Sequence, residues 1–159
     1  TDHKAKIDHD KCVGCGRCLG ACNFDAIYNE NESAVKELNM KMAEYTKAVV
    51  DGRPAFHINL VIDVSPYCDC HAENDVPILP DVGMFASFDP VALDQACADA
   101  CNAQQPMPGS LLDEHMHAED FHDHHDHFVN TTPESEWKTC LAHAEKIGLG
   151  SREYELIKV

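Results

Sequence analysis

Positive charge is scarce in this sequence: 12 Lys and Arg stand against 28 Asp and Glu, a formal net charge of -16. That balance repels phosphate backbones and anionic lipid headgroups, so nucleic acid and membrane surfaces are not expected partners. Long apolar runs are also missing, and none approaches the roughly 18 residues that span a bilayer. No basic start leads into an apolar middle, as it does in a signal peptide. There is no G-x-G-x-x-G, no phosphate loop and no hydrolytic triad, so nucleotide chemistry has no support in these residues. No internal repeat is present. The first residue is Thr1 rather than Met, which is expected of a trimmed start or of a piece of something longer.

What is present is cysteine, nine of them in 159 residues. An odd number cannot close a disulfide framework, and the thiols cluster. Both features favour metal binding in a reducing compartment, and a cytoplasmic setting is expected. A chain of this length hides roughly 70% of its unfolded surface, enough for a real core.

Residues 12–22 read C-V-G-C-G-R-C-L-G-A-C, the C-x-x-C-x-x-C-x-x-x-C spacing of bacterial ferredoxins. Thiolates two residues apart on a curled loop each reach one iron corner of a cube. Gly14, Gly16 and Gly20 permit the curvature, which aims amide N–H groups at cluster sulfurs. Cys12, Cys15, Cys18 and Cys22 are therefore the expected ligands of a 4Fe-4S cluster. Structural zinc is the competing reading, but zinc usually takes two separated C-x-x-C knuckles, and no second knuckle exists here. In such runs the fourth cysteine serves the other cluster of a pair. With a single run, Cys22 lacks that cluster and the first three thiols lack a fourth ligand. An upstream run, Cys68 or Cys70 folding back, or Cys22 itself could close the set.

Beyond this segment the pattern changes. Over 33–50 the residues Val35, Leu38, Met42, Tyr45 and Val49 recur at helical spacing, which predicts a helix with that stripe in the core. Residues 56–64, FHINLVIDV, predict a buried strand. Asp89 followed by Pro90 predicts a capped helix to about residue 101. A short strand is expected at 76–79, a last helix entered at Thr132-Pro133 and closed by Gly148, and a terminal strand in EYELIKV. The fold class expected is α+β or α/β: a ferredoxin-like cluster-binding segment over 1–30, attached to an α/β body over 31–159.

Three further groups carry possible chemistry. Cys68 and Cys70 follow the 56–64 strand, with His71, Glu73 and Asp75 close behind. Residues two apart in an extended segment face one side, so both thiols could grip one metal or cluster, and they are expected to line a crevice at the strand's end. Cys97, Cys101 and Cys140 read as core thiols. A histidine-rich loop at 113–128 holds His115, His117, His122, His124, His125 and His127. Neutral imidazoles bind zinc, nickel and copper, but this composition predicts a solvated, low-complexity loop without apolar anchors, with adventitious affinity.

The run CVGCGRCLGACNFDAI, the stretch SPYCDCHAENDVPILPDVGMFASFDPVALDQAC and the ending EWKTCLAHAEKIGLGSREYELI together resemble one family. It is the family of uncharacterised iron–sulfur centre proteins, with a domain of unknown function and a bacterial-type 4Fe-4S ferredoxin insert. The likeness covers nearly the whole chain except the histidine loop. It implies a parent about twice this length with two ferredoxin runs in tandem, of which this chain resembles the C-terminal half. The missing N-terminal half would then be its partner, and a second cluster is expected in the parent. By the same resemblance Cys12, Cys15 and Cys18 hold one cluster and Cys22 serves its neighbour. The expected function is single-electron transfer to a redox partner protein. The alternatives are a redox enzyme whose cluster serves a second site near Cys68, Cys70 and His71, and metal storage or delivery through the histidines.

Overall fold

Asp89 organises the helix that backs the sheet. Its Oδ1 accepts from the Val91 and Ala92 N–H groups at 2.8 and 3.0 Å, and Pro90 needs no partner at the first helical position. The helix α3 (Pro90–Asn102) follows, as the sequence predicts. It backs a sheet of β1 (His57–Val61) and β2 (Gly83–Ser87), which pair antiparallel with His57 opposite Ser87 and Val61 opposite Gly83. A computed structural model supplies these coordinates and describes residues 6–13, 16–22, 26–27, 35–68 and 76–159.

The chain divides into two units, Thr1–Ser33 and Ala34–Val159. In the first, α1 (Arg17–Ala21) starts from Gly16, whose φ of 71° lies where side chains are strained. In the second, α2 (Val35–Val50) packs on α6 (Trp137–Lys146), and α4 (Leu111–Met116) packs on α5 (His127–Thr131). One core cluster gathers Val61, Ile78, Leu79, Leu93 and Leu112 with Cys97 and Cys101. A second gathers Ala43, Val91, Leu141 and Ala144.

The architecture is α+β. Among the described residues the sheet has two antiparallel strands, so the crossovers of an α/β body are not seen there. The expected buried strand is only half buried. Asn59 and Val61 face α3, while Ile58 and Leu60 remain 56% and 62% exposed beside Met84. The reason is layering: two strands with one helix over them leave the opposite face bare.

The helix over 33–50 forms, but the opposite stripe is buried. Asn39 and Ala43 pack inward, whereas Leu38, Met42, Tyr45 and Val49 are exposed. Small Ala43 lets α2 lie close on α6, and Asn39 is satisfied by donating to the Val35 carbonyl at 2.9 Å. No strand forms at 76–79. Pro77 and Pro80 lack donors, and Ile78 instead bridges irregular chain, its N–H to Val64 and its carbonyl to Met107. The last helix starts at Trp137 rather than at Thr132-Pro133, because residues 127–131 already form α5. It ends at Lys146, and Gly148, φ 72°, follows its cap and closes it as expected. The tail EYELIKV is exposed and forms no strand.

Candidate functional site

The cysteine loop lies within the first unit. Cys12 is exposed, and Cys18 sits half-buried on α1. Cys22 caps the helix end, its N–H donating to the Leu19 carbonyl at 3.2 Å. Cys15 lies outside the described residues, as do Cys70, His71, Glu73 and Asp75. Gly16 supplies the left-handed turn that carries the chain from the first thiols into α1. Two soft thiols, Cys12 and Cys18, stand on either side of that turn. This donor chemistry fits an iron–sulfur cluster. Among the described residues no three His, Cys, Asp or Glu side chains gather closely enough to hold a metal ion.

Cys68 follows β1 and lines an open cleft of about 460 Å³ within the second unit. The opposite wall comes from Phe128, Thr131 and Thr132 of the α5 region, with Glu134 and Ser135 beyond. Thr132 Oγ1 donates to the Pro66 carbonyl at 3.3 Å and ties the two walls together. The cleft is therefore rich in hydroxyls over an apolar floor of Ile78 and Phe128. The sequence points to Cys68 but not to its neighbours, which come from some 65 positions further on, and no local pattern marks them.

The histidine segment departs from expectation at its two ends, which are built into α4 and α5, while residues 117–120 and 122–125 between them are exposed. His115 and His117 each place Nδ1 on a backbone carbonyl, Asn130 at 3.0 Å and Asp113 at 2.8 Å. A carbonyl only accepts, so each Nδ1 carries the proton. His127 Nε2 donates likewise to Gln104 at 2.9 Å, and its buried Nδ1 has no hydrogen-bond partner among the described residues. The backbone N–H of His124 donates to Asn130 Oδ1, and that of His125 donates to Asp123. His122, His124 and His125 are exposed. Their dispersal over α4, a turn and α5 is why they do not converge.

Asp126, at the end of this segment, is the anchor the sequence does not reveal. Its side chain is 1% exposed. It caps α5 and takes hydrogen bonds from the Trp137 indole and from Lys138. Burial pushes its carboxyl up, but the Lys138 ammonium, the Val129 N–H and the indole outweigh that and hold it below the usual carboxylate range.

Cys97, Cys101 and Cys140 behave as core thiols. Burial pushes all three up, Cys101 to about 11. They are protonated at neutral pH and poor metal ligands as they stand.

These features define a small α+β protein with a cysteine loop ahead of a helix-backed antiparallel ribbon. The chain belongs to the family of a domain of unknown function, DUF362, whose model matches residues 3–99. No curated protein and no solved structure matches it. Among the described residues no helix is long and apolar enough to cross a membrane.

Proposed function

We propose that this chain is an iron–sulfur protein that holds a 4Fe-4S cluster on residues 12–22 and passes single electrons to a redox partner protein. The observation that carries the reading is the C-x-x-C-x-x-C-x-x-x-C spacing, supported by the left-handed turn at Gly16. Cys12, Cys15 and Cys18 are assigned as ligands, and Cys22 either completes the set or serves a second cluster. A bound cubane takes up and releases one electron. The chain's own part is to hold deprotonated thiolates on a tight loop and to present them near solvent, where a partner can dock. The net charge of -16 suits a basic partner.

Anaerobic purification with iron and sulfide counts and EPR tests this. Brown protein that bleaches on reduction is expected. Stoichiometric zinc without acid-labile sulfide would sink it. Cys22→Ser and Cys68→Ser variants then locate the fourth ligand. Four irons that survive Cys22→Ser but not Cys68→Ser would move that ligand to the loop after β1.

A second reading rests on the cleft at Cys68. A redox enzyme would use that hydroxyl-lined space for substrate. Its mark is a further metal, flavin or small molecule retained in proportion to protein and lost in Cys68→Ser while the iron count holds.

A further inference from the structure

A second cavity, of about 300 Å³, opens between α2, α3 and α6, and the cluster chemistry makes no use of it. Its walls include Met42, Cys97, Cys101, Cys140, Phe128 and Trp137. Four sulfur side chains and two aromatic rings thus line one open groove. The rings sit edge to face, 5.7 Å apart at 62°. The hydrogen bonds from the Trp137 indole to Asp126 fix that plane. Neutral thiols and a thioether are soft, polarisable surfaces that favour aromatic contacts. They do not gather as a metal site among the described residues, so the fitting occupant is organic. The volume is at the lower end of the usual range for small-molecule sites.

One wall is charged. Asp94 lies on the lining, and its carboxylate acts on both Cys97 and Cys140. Asn59 Nδ2 donates to its Oδ1 at 2.8 Å. No basic side chain pairs with it among the described residues. An apolar space with a single anionic wall residue selects by charge as well as by shape.

We propose that this groove binds a small aromatic cation, with its ring between Trp137, Phe128 and the thiols and its ammonium group at Asp94. The strongly negative chain raises the local concentration of such a ligand.

Trp137 is the single tryptophan of the chain, so its emission reports on the groove directly. The probes are 2-phenylethylamine, neutral 2-phenylethanol and anionic 3-phenylpropionate, titrated into the full chain. A saturable change is expected with the amine, at roughly fivefold or more tighter affinity than with the anion, the worth of an ion pair at a partly exposed site. Asp94→Asn should erase the preference without changing the fold, and Ala98→Leu should fill the space and remove binding. Saturation-transfer NMR on the unmodified protein keeps the test open if Ala98→Leu fails to fold. The proposal is overturned by no saturable response to the amine, by equal affinity for all three probes, or by a preference that survives Asp94→Asn. A dimer that buries Trp137 and excludes the amine would overturn it as well.

Discussion

The Trp137 indole N–H donates to both carboxylate oxygens of Asp126, at 3.0 and 3.3 Å. One buried acid thereby joins the end of the histidine segment, the start of α5 and the start of α6. Lys138 completes the set from solvent at 2.7 Å. Asp126→Ala removes a helix cap and strands a half-buried indole donor. A loss of about 2–4 kcal/mol in urea unfolding is expected from those two effects.

The same carboxylate makes stability depend on acid. Its folded value lies below its ordinary one, so the unfolded chain binds the proton more readily. Its contribution is fully present above the ordinary carboxylate value of about 4, and it is lost as pH falls below that toward the folded value. Urea midpoints measured between neutral pH and pH 3 should fall less steeply in Asp126→Asn than in the parent. Parallel curves would refute the assignment.

Deleting residues 115–127 is expected to lower the Tm by about 5 °C or more, because Asp126 and the carbonyl bonds of His115 and His127 leave with it. By contrast His122→Ser, at an exposed side chain, should change stability by less than about 0.5 kcal/mol. Calorimetry of the two variants separates an integrated segment from a solvated one.

Gly150 lies where a side chain cannot. A Cβ there would fall within the Asp89 carboxylate, which is already held by Val91, Ala92 and the Ser151 N–H at 2.9 Å. Gly150→Ala should displace Asp89 from the α3 cap at a cost of about 1–2 kcal/mol. Asp89→Ala should cost about the same, and the double variant little more than either. A double variant whose loss is the sum of the two would show that the residues act independently.

In iron-free protein, thiol reactivity should follow environment. Cys12 is exposed, while Cys97 and Cys101 are buried and pushed upward by that burial. Iodoacetamide at neutral pH should label Cys12 well before either, as read by peptide mass mapping. Early labelling of Cys101 would contradict the packing of α3.

Local signals in the sequence carried furthest where one residue type decides a local geometry. Asp89 with Pro90 announced α3, and Gly148 announced the end of α6. Cys97 and Cys101 packed inward as their type suggests. Periodicity found the helix at 35–50 but assigned its buried face wrongly. Leu38, Met42 and Tyr45 outrank Asn39 and Ala43 in hydrophobicity, yet the small Ala43 sets how closely α2 and α6 approach. The strand at 83–87 escaped notice because GMFAS has one β-favouring residue and a glycine. Asp126 and the walls of both cavities depend on contacts between distant segments, which no window along the chain contains.

The bare side of the ribbon has a colloidal consequence. Ile58, Leu60 and Met84 form an uncharged strip there, continued by Phe56, whose ring meets that of Phe88 edge to face at 5.0 Å. Such a strip attracts its own kind in other molecules, and what holds copies apart in solution is their shared negative charge. Salt weakens that repulsion, since the screening length is about 10 Å at 0.1 M and about 3 Å at 1 M, but it leaves the oily strip untouched. Light scattering should therefore rise with sodium chloride at neutral pH, and a lysine in place of Leu60 should flatten the rise.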